Sequence, residues 1–244
     1  MAGPRARSAR PAPPRSRHFL RPSVAAELVR DACVGDSELV VDIGAGTGRI
    51  TEELSRAARQ VVAVEIDPQL AAALRGRWPN VRVVEADVTT TPFPRERFRV
   101  VANIPFGRTN DILRALLDDP RTQLERADLV VEWGVAVKRG LPWPSTVSGV
   151  VRAATFEATV ARRLPPGAFE PPPSVAAGVL VLRRRARPLV RPDELPAYAR
   201  FVARGFRRGI PRIRGRTVLP RDLDAFQWAA LFRTGGRSTY DRRT

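Results

Sequence analysis

Cysteine and histidine are nearly absent from this chain: Cys33 and His18 are the only ones in 244 residues. One cysteine excludes an intrachain disulfide and any site built from several thiolates, and one histidine argues against a histidine-based metal centre. No run of eighteen apolar residues occurs, so no segment is suited to cross a bilayer as a helix. The N-terminal stretch is rich in Arg and Pro but has no apolar core behind its charges, unlike a secretory signal. No internal repeat is present. A cytoplasmic, metal-free monomer is the expectation.

Lysine is scarce as well. Lys138 is the only lysine among 42 basic residues, which stand against 25 acidic ones for a formal net charge of +17. A GC-rich genome would account for Arg over Lys, but not for where the surplus sits. Residues 1–22 carry six Arg and no acid, and residues 183–244 carry 17 Arg against five acids, a net of +12. Residues 23–182 hold 19 basic and 20 acidic side chains and are close to neutral. A neutral middle between two basic ends reads as a catalytic module with appended contacts for a polyanion. Nucleic acid is the expected polyanion, since no amphipathic membrane helix is evident.

Between the ends, Val-rich runs alternate with helical stretches. Residues 1–17 are rich in Pro and Arg and read as a basic, disordered tail. A helix is expected over 24–32 with Ser23 as its cap. Strands are expected at 39–43, 61–65, 81–85, 98–102 and 128–132, and helices at 49–58, from Asp67-Pro68 onward, and at 110–117. Asp67 suits a helix cap and Pro68 a first helical position. Residues 141–149 read as a loop, and 164–175 are too Pro-dense for regular structure. Closing antiparallel strands are expected at 156–163 and 176–182. Such β–α alternation implies an α/β fold with a Rossmann-like, doubly wound sheet. Beyond 183 only helical patterns remain, at 193–208 and 221–232. The expected organisation is a tail (1–17), a catalytic domain (18–182) and a small basic helical domain (183–244) that binds nucleic acid.

Four of the expected strands end on an acid or an amide: Asp42, Glu65, Asp87 and Asn103. Ligands of open parallel sheets bind beyond the carboxyl ends of the strands, so these four should gather along one rim. Gly44-Ala45-Gly46-Thr47-Gly48 follows the first of them, and its glycines let the backbone turn sharply and close on a ligand. The spacing is GxGxG rather than the GxGxxG of dinucleotide folds. Glu65 suits the two hydroxyls of a ribose. Asp87 suits an adenine amino group or, alternatively, a cap on the turn that follows it. Asn103-Ile104-Pro105-Phe106 is the most specific segment. An amine conjugated with an aromatic ring is a poor nucleophile, and acceptors that draw its hydrogens tip the nitrogen toward tetrahedral geometry. The Asn103 oxygen and the carbonyl beside the rigid Ile104-Pro105 bond are two such acceptors, and Phe106 offers a face to a base swung out of its helix.

Together these residues resemble the S-adenosylmethionine-dependent rRNA adenine N6-methyltransferases of Erm type, with their KsgA/Dim-type dimethyladenosine transferase relatives. The resemblance spans roughly residues 16–232 and is densest over 38–183. It rests on Arg17-His18-Phe19-Leu20, the Asp42–Gly48 loop, Glu65-Ile66-Asp67, Asp87-Val88, Asn103–Phe106, Val131-Glu132-Trp133 with Lys138-Arg139, and Phe169 in F-E-P-P-P-S-V. The segment 219–232 and the Phe at 106, where many relatives have Tyr, are more similar to actinobacterial Erm proteins than to the KsgA branch.

The resemblance implies a class I methyltransferase fold with S-adenosylmethionine as cofactor. The implied cofactor residues are His18, Leu20, Gly44, Ala45, Gly46, Glu65, Ile66, Asp87, Val88 and Asn103. The implied catalytic residues are Asn103, Ile104, Pro105, Phe106 and Phe169, with Phe169 stacking on the second face of the target adenine. Two positions depart from the family. Its usual Gln-Asn-Phe-Leu is Arg17-His18-Phe19-Leu20 here, leaving His18 or Arg17 to replace the Asn contact to the methionine part of the cofactor. Its usual Asp after P-P-P-S-V is Ala176. The implied reaction is methylation of N6 of one adenine in the peptidyl-transferase loop of 23S rRNA, protein-free or in an early precursor. The implied outcome is resistance to macrolide, lincosamide and streptogramin B antibiotics. A KsgA-type 16S rRNA dimethyltransferase and a non-catalytic nucleic-acid-binding member of the fold remain as alternatives.

Overall fold

The computed structural model describes residues 18–141, 144–209 and 218–235. The expected tail at 1–17 lies outside the described residues, as do the arginines of 210–217 and 236–244. In chain order the elements are β1 (Phe19–Leu20), α1 (Pro22–Ala32), β2 (Leu39–Ile43), α2 (Arg49–Ala57), β3 (Gln60–Glu65), α3 (Pro68–Leu74), β4 (Val81–Glu85), β5 (Phe98–Asn103) and α4 (Thr109–Leu117). There follow β6 (Leu124–Glu132), α5 (Trp133–Gly140), α6 (Val147–Ala153), β7 (Phe156–Leu164), β8 (Phe169–Glu170), β9 (Ala177–Arg184), α7 (Leu195–Arg208) and α8 (Ala225–Arg233).

Among the described residues one sheet has seven strands in the order β4-β3-β2-β5-β6-β9-β7. The pairs β2–β3, β3–β4, β2–β5 and β5–β6 are parallel. The Val runs of β2, β3 and β5 are buried on both faces, as strands sandwiched by helices must be. From β2 the chain builds outward to β3 and β4, then returns to place β5 on the other side of β2. The strand order therefore reverses between β2 and β5, the position where such sheets open a crevice. Asp42 and Asn103 stand at the two strands that flank it.

Several local expectations shift. α1 starts at Pro22 with Arg21 before it and no side-chain cap, so Ser23 lies inside the helix. Proline at the first position is pre-organised and loses no needed N–H, which moves the start two residues back. α3 begins as the Asp67-Pro68 pair suggests, with the Asp67 carboxylate accepting from the amides of Gln69 and Leu70. β6 begins at Leu124 rather than 128. α5 and the start of α6 fall where no helix, or a loop, was expected. Both are too short to show a period, but α6 has a local cap: the Thr146 hydroxyl accepts from the Gly149 amide at 3.1 Å. α8 begins at Ala225, set by a capping box between Asp224 and Gln227.

The chain divides into two compact units. The first comprises residues up to Trp133 plus Arg162–Val179, and the second comprises Gly134–Ala161 with residues from Leu180 onward. The second unit thus takes in α5 and α6, which the boundary at 183 assigns to the catalytic domain. Its buried core shows why: Val150 of α6 and Ala154, just past its end, pack in one cluster with Tyr198 and Val202 of α7 and Trp228 and Ala229 of α8.

Candidate active site

Every residue of the expected rim lies in the first unit. β2 ends in the glycine loop, where Gly46 (φ 57°) and Gly48 (φ 84°) adopt left-handed backbone. Space is as restrictive as conformation there. A Cβ on Gly46 would stand 2.6 Å from Phe19 Cε1, and one on Gly48 would stand 2.6 Å from Leu74 Cδ2. Phe19 therefore presses directly onto the turn. Ala45 and Leu20 are buried beside it.

Asp42 is 1% exposed, and its Oδ2 accepts from the Thr51 hydroxyl at 2.6 Å. Its Oδ1 has no partner among the described residues. Burial pushes this carboxyl up to about 7; the Thr51 hydroxyl opposes the rise and the Glu65 charge adds to it. Glu65 is also buried and serves as a strut. Its Oε2 accepts from the Gly46 amide at 2.8 Å and its Oε1 from the Asp67 amide at 2.9 Å. The carboxylate ties the glycine loop to the turn after β3, and each oxygen keeps a lone pair for an outside donor.

Asp87 caps the turn that follows it. Its Oδ1 accepts from the Thr89 amide at 2.9 Å and the Thr89 hydroxyl at 2.7 Å, closing the turn that follows. Its Oδ2 lies 3.2 Å from Nη2 of Arg108. Burial alone would raise this carboxyl, but the Thr89 donors and the Arg108 guanidinium outweigh it and hold it below the ordinary value. Asp87 borders an apolar slot whose walls include Gly44, Val64, Ile66, Val88, Pro105 and Ile112. Apolar walls with a polar edge at Asp87 suit an aromatic base.

Asn103 ends β5. Its Nδ2 donates to the main-chain carbonyl of His18 at 2.7 Å, and its Oδ1 is buried without a partner among the described residues. A carbonyl accepts only from a donor, so this bond orients the amide and leaves the oxygen as an unused acceptor. Ile104 is buried, its amide donating to the Val130 carbonyl at 3.3 Å. Pro105 Cδ would come 3.5 Å from a Cβ on Gly44, so the Asn103–Phe106 segment lies against the glycine loop.

The Pro-rich segment is more ordered than its composition suggests. β8 pairs antiparallel with β1, Phe19 opposite Glu170 and Leu20 opposite Phe169. Glu170 forms ion pairs with Arg49 at 2.9 Å and Arg21 at 3.1 Å, and Arg49 also donates to the Leu20 carbonyl. The His18 ring bonds the Pro171 carbonyl through Nδ1 at 2.9 Å and lies 6.3 Å from the Phe106 ring. Phe169 is fully buried and meets Phe106 edge to face, with centroids 6.3 Å apart and planes at 84°. Two rings at that angle do not form parallel walls. Arg17 lies outside the described residues.

The structure thus brings Asn103, Phe106, Phe169, His18 and Leu20 together at one end of the rim, and Asp87, Val88 and Ile66 at the other, with the glycine loop and Glu65 between. Four contributors escaped the sequence reading. Phe19 and Glu170 stood inside noted segments, but their contacts depend on the β1–β8 pairing. Arg49 and Arg108 carried no pattern that set them apart from other arginines.

The chain is similar to known proteins in sequence and in fold. A family model described as ribosomal RNA adenine dimethylase matches residues 16–218. The chain is 34% identical over 216 residues to the mycinamicin-resistance protein MyrB of Micromonospora griseorubida, covering 80% of this chain and 69% of that protein. It is 38% identical over 184 residues to an rRNA methyltransferase of Streptomyces thermotolerans, covering 73% of this chain but only 60% of that protein. Among solved structures, that of the 23S rRNA methyltransferase ErmE superposes with a TM-score of 0.75 at 30% identity, over 88% of this chain and 98% of that one.

Proposed function

The chain belongs to the ribosomal RNA adenine dimethylase family, and we propose that it methylates N6 of one adenine in the peptidyl-transferase loop of 23S rRNA, using S-adenosylmethionine. The added methyl removes a hydrogen-bond donor and puts bulk where macrolide, lincosamide and streptogramin B antibiotics bind, which is the basis of resistance. The observation that carries the reading is the Asn103 carboxamide, whose nitrogen is fixed by the His18 carbonyl and whose buried oxygen awaits a donor. The similarity to the 23S rRNA methyltransferase ErmE favours the large-subunit target over a 16S rRNA site.

The residues fit the cofactor. Glu65 retains acceptor capacity for ribose hydroxyls, Asp87 faces the slot as an acceptor for an adenine amine, and the close-packed glycine loop presents backbone rather than side chain. By its likeness to the family, His18, whose carbonyl accepts from Asn103, would lie toward the methionine end. When bound, S-adenosylmethionine supplies a methyl group activated by a sulfonium charge. Asn103 Oδ1 accepts a hydrogen of the target amine and turns its nitrogen lone pair out of conjugation. Phe106 supports the flipped base by stacking. Most of the acceleration then comes from position. Among the described residues no carboxylate or imidazole hydrogen-bonds to Asn103, and none is needed, because an alkylated cationic nitrogen releases its proton to water.

The test is methyl transfer from labelled S-adenosylmethionine to protein-free 23S and 16S rRNA, with the site mapped by primer extension. Label at one peptidyl-transferase adenine is expected; label confined to 16S rRNA would move the protein to the small-subunit branch. Asn103→Ala should lower transfer at least about a hundredfold while S-adenosylhomocysteine binding stays within a few-fold. Retained turnover would remove Asn103 from its role.

A further inference from the structure

Residues 18–21 form a short strap that touches several parts of the site. The His18 carbonyl accepts from Asn103 Nδ2 at 2.7 Å. Phe19 lies so close to the glycine loop that a Cβ on Gly46 would stand 2.6 Å from its ring. Leu20 pairs with Phe169 across the β1–β8 ladder, and the Arg21 amide donates to the Ala168 carbonyl at 2.8 Å. A ladder of two residues does not hold itself, so the strap depends on what fastens it.

One carboxylate joins the strap to the helix behind the glycine loop. Glu170 Oε2 lies 2.9 Å from Arg49 Nη2, and Glu170 Oε1 lies 3.1 Å from Arg21 Nη1. Arg49 opens α2 directly after the glycine loop, and its Nη1 donates to the Leu20 carbonyl. Glu170 thus holds Arg21 directly and steadies Leu20 through Arg49. Among the described residues it is the only carboxylate paired with either guanidinium. Without its charge, one cation on the strap and one on α2 would converge with nothing negative between them, and their repulsion would push the strap off the glycine loop. We propose that Glu170 is a positioning residue for the cofactor: by neutralising Arg21 and Arg49 together it keeps the 18–21 strap down on the glycine loop. The inference rests on that loop being the site of S-adenosylmethionine.

Calorimetric titration of the full chain and two variants with S-adenosylhomocysteine tests it. Glu170→Gln keeps the size of the side chain and removes its charge. Affinity should fall about fivefold, the scale of ion pairs whose partners are half exposed. Adding Arg21→Gln to Glu170→Gln removes the repulsion, and the double variant should recover to within about twofold of wild type. A carboxylate that served only as a local prop would give the opposite order, with the double variant the weaker. Salt screens attraction and repulsion alike, so raising it should narrow the gap between wild type and Glu170→Gln. Amide exchange reads the strap itself: in Glu170→Gln the Arg21 amide should exchange faster while the amides of β3 keep their protection. A single variant within about twofold of wild type, a double variant that binds no better than the single one, a gap that salt leaves unchanged, or faster exchange in β3 as well as at Arg21 would each overturn the inference and leave the cofactor reading intact. A wild type that bound no S-adenosylhomocysteine would overturn the cofactor reading and this inference with it.

Discussion

The rim of the first unit and the helical core of the second are built on opposite terms. The rim keeps polar atoms out of water without pairing them: Asp42 Oδ1 and Asn103 Oδ1 are both buried without partners among the described residues. It also bends its backbone through left-handed turns at Gly46 and Gly48. The helical core is aromatic and mutually packed. Trp228 stacks on Phe206 at 5.6 Å and meets the edge of Phe201 at 6.2 Å, and Tyr198 and Phe201 both contact Phe232. Conflict between local preference and burial concentrates where a ligand can relieve it, and consistency concentrates where only folding is at stake.

Removing the centre of the second core should give the largest stability effect. Trp228→Ala takes out a fully buried indole and its bond to the Pro220 carbonyl, and a loss of about 3–5 kcal/mol is expected in urea unfolding. A loss below about 1 kcal/mol would mean that the cluster repacks, and the contrast between the regions would fade.

A smaller effect tests the rim from the other side. The Asp42 carboxyl titrates near 7 in the fold against an ordinary 3.8. The folded state therefore binds this proton more tightly than the unfolded chain does. The stability it contributes is complete below about pH 4, falls as pH rises to about 7, and is constant above that. The fall is on the order of 2–3 kcal/mol, from about 1.4 kcal/mol for each pH unit between the two values, discounted for relaxation. Asp42→Asn cannot ionise, so the difference between wild-type and variant stability should change over that window in favour of the variant. Parallel stability curves from pH 4 to 8 would show that this carboxylate is solvated or paired, and that the rim carries no such cost.

The same contrast explains what could be read from the residues alone. The Val runs of β2, β3 and β5, the glycine loop and the Asp67-Pro68 start depend on neighbours in sequence, and they stand where the pattern puts them. β8 has two residues and exists because β1 pairs with it across about 150 positions, which no local composition reveals. The edge-to-face packing of Phe169 on Phe106 follows from that pairing. Arg108 reaches Asp87 from a turn 21 residues away, and only the fold sets it apart from other arginines. In the second unit, α5 and α6 are too brief to display a period, and their place is set by the core they complete.

The weakest expected effect bears hardest on the comparison, because the helical core has one blemish. Tyr198 is fully buried on α7, and its hydroxyl has no partner among the described residues. Burial raises its pKa above the ordinary value, with Arg233 pulling slightly the other way. A buried hydroxyl without a partner costs about 1–3 kcal/mol, and filling the lost oxygen's space imperfectly returns part of that cost. Tyr198→Phe keeps the ring against Phe232 and should be neutral or gain up to about 1 kcal/mol in urea unfolding. A loss of about 1 kcal/mol or more would mean that the hydroxyl is satisfied, for instance by a trapped water. In that case the second unit would hold a polar network of its own, and its contrast with the unpaired oxygens of Asp42 and Asn103 would sharpen.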